Sequence, residues 1–301
     1  LKADSWRQSE LGAKPTRLWQ EAVVKWLLEQ SHKRSIETDK HHLRWLRQHL
    51  DGTPLDKIDR PMLDQIAEAK KSEGSSNATC NRILSLIRAI INRAKDEWEW
   101  IEAAPAFRFL PEPKERIRWL SKDEAERLLA VLPAHLSAMA RFALATGLRE
   151  SNVTGLQWRQ VDLQRRCAWI DAHQAKAGKA IAVPLSHDAI QVLMDQADRH
   201  PDYVFTYEGK PVSKAGGNAW RKALARAGIE NFRWHDLRHT WASWHVQAGT
   251  PINVLRELGG WSDLDMVLRY AHLSSDHLQA HADNSSMRGN VIELGSYRKV
   301  G

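Results

Sequence analysis

The chain has 301 residues, 43% of them hydrophobic and 27% charged, with a formal charge of +7 from 44 Lys and Arg against 37 Asp and Glu. Such a composition excludes a collagen-like or low-complexity chain, leaves room for two domains with cores of their own, and points toward a polyanionic partner. Two widely separated cysteines, Cys80 and Cys167, argue against a cysteine-based zinc module and for a reducing compartment.

No apolar run approaches roughly 18 residues and no signal-peptide pattern opens the chain, so the expected setting is cytoplasmic, with no membrane partner. The chain opens on Leu1 and not on Met, which leaves room for a preceding arm-binding segment.

The first hundred residues predict about four helices. Apolar residues recur at helical spacing from Leu18 to Leu28, in Leu43, Trp45, Leu46 and Leu50, and in Ile83, Leu84, Leu86, Ile87, Ile90 and Ile91. Asp51-Gly-Thr-Pro54 separates the second segment from the third, Asp59-Arg60-Pro61 opens the third, and Glu73-Gly-Ser-Ser76 precedes the fourth. Basic residues including Arg44 gather around the second helix, and Arg82 and Arg88 mark the polar side of the fourth. A solvated helix face accounts for such runs as readily as a DNA contact does.

Pro105, Pro111 and Pro113 cannot continue a regular helix. The expected organisation is therefore a helical domain over 1–104, a linker over 105–118, a second domain over 119–283 and a tail over 284–301.

In the second domain Ser121-Lys-Asp-Glu124 reads as a capping box opening a helix through Leu132. A second helix runs from about His135 to Ala145 and stops at Thr146-Gly147, and a short new helix carries Arg149 in its first turn, where helix amides and dipole favour an anion. Cys167 to Asp171 and Ala180 to Leu185 predict a β-hairpin with Lys176 and Lys179 in its tip, and Tyr203 to Thr206 a third short strand. Helices are expected over Lys214 to Ala227, His235 to Ala248, Pro251 to Leu258 and Asp263 to Tyr270, with another near Ser275 to Ala282. The fold class is mainly α with a small antiparallel sheet.

His235 and Arg238 stand three residues apart and share one helix face, while Leu237, Trp241 and Trp244 fall on another. Together with Arg149, Lys176, Trp261 and Tyr270 they are the ingredients for breaking and rejoining a phosphodiester without metal. His235 and His239 also have the spacing of a zinc pair, but Asp236 stands where a zinc hydrolase needs Glu and no third ligand is apparent downstream. His239 reads as a supporting or capping residue.

Five fragments in one order, Thr146-Gly-Leu-Arg149, Lys176-Ala-Gly, His235-Asp-Leu-Arg238-His239, Leu258-Gly-Gly-Trp261 and Arg269-Tyr270-Ala-His272, resemble the tyrosine recombinase (phage integrase) family. The resemblance covers about residues 17 to 283. It implies an N-terminal four-helix SAM-like core-binding domain and a mixed α/β catalytic domain. It also implies Arg149 as first catalytic arginine, Lys176 as the hairpin lysine, His235 and Arg238 as the HxxR pair, and Tyr270 as nucleophile. Trp261 stands where histidine is common in the family, and Asn152 where an acidic residue often follows the first arginine.

A free tyrosine has a pKa near 10, so attack on phosphorus needs nearby positive charge or a base. Arg149 and Arg238 would supply fixed charge to the non-bridging oxygens. His235 would accept the tyrosine proton or donate to the phosphate, and Lys176 would protonate the departing 5′ oxygen. A 3′-phosphotyrosyl ester keeps the bond energy, so no ATP, metal or other cofactor is required.

By this resemblance the chain is expected to integrate or excise a mobile element through a Holliday junction, as a homotetramer on double-stranded recombination sites. Accessory directionality or DNA-bending proteins and association with the bacterial nucleoid are expected too. DNA-contacting candidates are Arg44, Arg82, Arg88, Lys179 and Arg233. The alternative is a catalytically inactive DNA-binding regulator or structural protein.

Overall fold

The computed structural model describes residues 15–112, 117–172, 174 and 180–273. The chain divides into two units, Leu1–Glu115 and Arg116–Gly301.

In the N-terminal unit the helical periodicities become α1 (Trp19–Glu29), α2 (Ile36–Leu50), α3 (Arg60–Ser72) and α4 (Asn77–Asp96). Their starts follow local chemistry. Asp59 accepts from the Met62 amide with Pro61 in the first turn of α3, and Ser76 accepts from the Thr79 amide to cap α4. Trp19, Leu46, Leu50, Ile66, Ile83, Ile87, Ile90 and Ile91 form the interior. Pro-rich residues beyond α4 are tied back to it: the Asn81 amide donates to the Leu110 carbonyl at 2.9 Å, and Asn81 Oδ1 accepts from the Leu110 amide at 2.8 Å.

The C-terminal unit begins with α5 (Lys122–Val131), α6 (Ala134–Thr146) and α7 (Glu150–Thr154). Ser121 and Glu124 close the expected capping box, each side chain accepting from the other residue's amide, and Arg118 grips Glu124 at 2.6 Å. The three-stranded antiparallel sheet has the order β1 (Val161–Asp162), β2 (Cys167–Ile170), β3 (Ile181–Pro184), with Ile170 opposite Ile181. Then come α8 (His187–Gln196), a hairpin of β4 (Thr206–Tyr207) and β5 (Lys210–Pro211), α9 (Asn218–Arg226), α10 (Asp236–Gln247), α11 (Ile252–Gly259) and α12 (Asp265–Leu268), with a 3-10 turn over Ala271–Leu273. No described helix is long and apolar enough to cross a membrane.

Four expectations change. The third strand of the sheet is β1, upstream of the hairpin, whereas Tyr203 makes an isolated bridge to Gln157 and Thr206 belongs to a separate hairpin. That hairpin turns on Glu208 and Gly209, both at positive φ, the conformation of a two-residue type I′ turn. The helix expected from Lys214 begins at Asn218, because Gly216 and Gly217 interrupt it and Glu150 captures the Ala215 and Gly216 amides at 2.7 and 2.9 Å. The helix expected to carry Tyr270 stops at Leu268, and Tyr270 bonds back to Val267 in a tighter turn. Arg149, expected inside the first turn of α7, is its extended N-cap. The helix expected near Ser275 to Ala282 and the tail over 284–301 lie outside the described residues.

Cys80 is buried, whereas Cys167 is only half-buried. The interior of this unit has two parts. A large cluster joins α5 to α10 and the sheet, and a small one contains Trp241, Ala242, Val246, Leu255, Trp261, Val267 and Tyr270. The small cluster positions the site.

Candidate active site

Helix α10 is the spine on which the site is built. Asp236 accepts from the Arg233 amide at 2.7 Å and starts the helix. Leu237 and Trp241 face the interior as their spacing predicts. The segment before α5 is clipped to α10 at one residue: the Leu120 amide donates to Thr240 Oγ1 at 3.1 Å, and the Leu120 carbonyl accepts from Trp244 Nε1 at 2.9 Å. His235 is exposed at the N-cap, and Arg238, one turn in, is only 4% exposed.

Arg238 is held by two glycine carbonyls far apart in sequence. Nη1 donates to Gly147 and Nη2 to Gly259, at 2.5 and 2.6 Å. Both glycines are required by the indoles packed on them. A Cβ on Gly147, which has φ +66°, would lie 2.3 Å from the Trp241 ring; a Cβ on Gly259 would lie 2.0 Å from the Trp261 ring. No side chain fits either place. Gly260, also at positive φ, ends α11 with the Trp261 amide bonded back to the Arg256 carbonyl. A Cβ there would lie 2.8 Å from Ile181 of β3, so the base of the hairpin abuts the Gly260-Trp261 corner. The Thr-Gly-Leu-Arg and Leu-Gly-Gly-Trp motifs thus converge on one guanidinium.

The Arg238 guanidinium also lies 4.1 Å from the Trp261 ring centre. Trp261 is 8% exposed and its ring centre is 5.9 Å from that of Trp241 and 6.1 Å from that of Tyr270, so it packs. Burial first and the neighbouring Arg149 second push the Arg238 guanidinium well below the usual arginine range, to about 9, while Tyr270 acts in the opposite direction. Burial likewise lowers Arg149. Among the described residues no carboxylate lies within ion-pair distance of either arginine. Glu150, beside Arg149, is spent on the Ala215 and Gly216 amides, and the buried Asn152 Nδ2 has no hydrogen-bond partner among the described residues. Two cations held close with no counter-ion make a receptor for an anion.

Tyr270 is 1% exposed, and its hydroxyl lies 2.5 Å from Nδ1 of His239. The His239 ring in turn meets the His235 ring edge to face, centres 5.2 Å apart. The sequence casts His239 as a supporting or capping residue. It touches the tyrosine oxygen instead, and only its helical spacing from His235 hints at this.

Lys176 and Lys179 lie outside the described residues. Of the candidate DNA contacts, Arg44, Arg82 and Arg88 are exposed on the N-terminal unit, and Arg233 is exposed just before α10. Arg88 lies over the Phe109 ring at 4.8 Å. Sequence reasoning misses Glu150, the hold of Gly147 and Gly259 on Arg238, and the direct contact of His239 with Tyr270. A concavity of about 1050 Å3 opens among α5, α6, α8 and α10, but Arg149, His235, Arg238, Trp261 and Tyr270 do not line it.

The profile of the phage integrase family matches residues 118–277. The integrase of Salmonella phage P22 is 40% identical over 99% of this chain and 88% of its own length. By fold, the chain resembles the Tn1549 transposon integrase in complex with transposon right end DNA, with a TM-score of 0.75, 19% identity and coverage of 89% of this chain and 99% of that one. A lambda integrase tetramer bound to a Holliday junction gives a TM-score of 0.73 at 16% identity, covering 89% of this chain and 81% of that one.

Proposed function

Because the chain belongs to the phage integrase family and is a site-specific tyrosine recombinase, we propose that Tyr270 cleaves one strand of a recombination site and holds it as a 3′-phosphotyrosyl ester until a 5′-hydroxyl religates it. The carrying observation is Arg238, buried and fixed by the Gly147 and Gly259 carbonyls, with half-buried Arg149 and the Tyr270 phenol near it and no carboxylate within ion-pair distance among the described residues. A scissile phosphate supplies the missing charge, and the gain grows as negative charge builds on the non-bridging oxygens in the transition state.

His235, exposed at the tip of α10, donates to a phosphate oxygen. Lys176 protonates the departing 5′ oxygen. It lies five residues before Ile181, whose side chain is packed at Gly260, so at most about 18 Å of backbone separates it from Ile181. Trp261 serves as the flat wall that keeps Arg238 in plane.

The N-terminal helices act as the SAM-like core-binding domain, with Arg44, Arg82 and Arg88 on phosphates, and Lys179 and Arg233 do the same for the catalytic unit. The assembly on two recombination sites is a homotetramer that passes through a Holliday junction, as in the lambda relative's junction complex. The domains follow as 1–104, a linker 105–118, 119–283 and a tail 284–301, with accessory DNA-bending or directionality proteins as partners in the cytoplasm.

The test is covalent trapping. Protein and its Tyr270→Phe variant are incubated in chelator with nicked duplexes from the ends of the host element and resolved on a denaturing gel. An adduct formed by the wild type and lost in the variant is expected. An adduct that persists in the variant overturns Tyr270, and specific binding without any adduct favours an inactive DNA-binding protein.

A further inference from the structure

Resting on the reading of Tyr270 as nucleophile, we propose that His239, and not His235, is the proton acceptor for its hydroxyl. Three observations carry this. His239 Nδ1 lies 2.5 Å from the tyrosine oxygen. The tyrosine is 1% exposed, so bulk water is screened from its hydroxyl and the proton leaves most directly to a protein group. His235 is exposed at the helix tip, and its ring meets that of His239 edge to face, so His239 stands nearer the phenol and His235 nearer solvent.

His239 enters the reaction with its proton on Nε2 and the Nδ1 lone pair toward the phenol. As the Tyr270 oxygen bonds to phosphorus, its proton passes to Nδ1, giving an imidazolium. The bond from phosphorus to the 5′ oxygen breaks, its electron pair stays on that oxygen, and Lys176, the general acid, supplies the proton. Religation runs the same transfers backward, and His239 returns the proton to the phenol. Arg238, near Tyr270, stabilises the developing phenolate.

Three groups with separable defects are thereby assigned to one reaction: His239 to the nucleophile, Arg149 and Arg238 to the phosphate, Lys176 to the leaving group. Only a defect at the nucleophile can be repaired by making the phenol more acidic.

The experiment measures single-turnover cleavage of a nicked site under saturating protein, with DNA affinity measured in parallel. His239→Ala and His239→Asn are each made with tyrosine or 3,5-difluorotyrosine at position 270. Asparagine keeps a hydrogen-bonding atom near the Nδ1 position but has no basicity. Both variants are expected to cleave about 100-fold slower or worse with DNA affinity nearly unchanged, the scale typical of a lost general base. Difluorotyrosine, a stronger acid than tyrosine with its pKa near 10, should restore most of that loss while changing the wild type little.

The proposal is overturned if His239→Asn cleaves at the wild-type rate, since a hydrogen bond alone would then suffice. It is equally overturned if difluorotyrosine rescues His235→Ala but neither His239 variant, or if His239→Ala cleaves faster, which would make the contact a restraint. Failure of the Tyr270 reading itself looks different: the Tyr270→Phe protein would still form the adduct.

Discussion

The two units treat their cations in opposite ways. In the N-terminal unit exposed basic side chains sit beside acids one helical turn away: Lys40 with Glu37 at 2.7 Å and Arg47 with Asp51 at 3.1 Å. Pairs of this kind contribute about 0.3–0.5 kcal/mol each. In the C-terminal unit Arg238 is buried, fixed by two carbonyls and an indole, and lies near Arg149 with no carboxylate at ion-pair distance among the described residues. A solvated charge is cheap and weakly placed; a desolvated one is costly until an anion arrives. The first arrangement suits binding a polyanion along its length, and the second suits stabilising one phosphate.

The largest effect expected from this contrast is at Arg238→Lys. A lysine cannot reach both the Gly147 and Gly259 carbonyls over the face of the Trp261 ring and present a second fork to phosphate. Single-turnover cleavage should fall about 10²–10³-fold, as for loss of one oxyanion donor, while DNA affinity changes little. The same contrast predicts that sulfate or inorganic phosphate raises the melting temperature of the wild type by binding the folded state. The rise should shrink in Arg238→Lys and Arg149→Ala. Equal rises in all three would mean that the two arginines are not an anion receptor.

Next in size is Gly147→Ala. The new methyl would stand 2.3 Å from the Trp241 ring at a backbone with φ +66°. Left-handed strain of roughly 1–2 kcal/mol adds to overpacking of about 1–3 kcal/mol, so unfolding by denaturant should show a loss of about 3 kcal/mol. Arg47→Ala in the other unit should cost less than about 0.5 kcal/mol. Similar losses at both positions would erase the contrast.

Much of this architecture is legible in the sequence, for a physical reason. Helices whose interior faces repeat every 3.6 residues, such as α4 with Ile83, Ile87, Ile90 and Ile91, announce themselves locally, as do the Ser121 to Glu124 box and the Asp59 cap. The placement of Arg149, Arg238, Trp261 and Tyr270 in one site is legible only through motif order. What stays hidden depends on partners distant in sequence. The role of Gly147 is set by Trp241 and Arg238, that of Gly259 by Trp261 and Arg238, and the late start of α9 by Glu150, 65 residues before Ala215. β1 is two residues long, too short to show alternation, and the Glu208-Gly209 turn lacks the usual Asn-Gly or Asp-Gly signal. The His239 contact joins residues 31 apart, with Tyr270 in a turn beyond the end of α12, so no local pattern announces it.

The smallest expected effect sharpens the contrast from the other side. Arg44 is exposed on α2, and no carboxylate among the described residues is within ion-pair distance of it, so Arg44→Ala should leave folding stability within about 0.5 kcal/mol of wild type. If its charge meets a phosphate, affinity should fall by a similar factor for specific and unrelated DNA, and the slope of log affinity against log salt should become shallower by about 1. Single-turnover cleavage at saturating protein should not change, because Arg44 belongs to a unit that tracks the backbone and not to the group that stabilises the reacting phosphate. An unchanged salt slope would remove Arg44 from the DNA surface. A changed cleavage rate at saturation would mean that solvated and desolvated cations share the catalytic work, and the division of labour between the two units would fall.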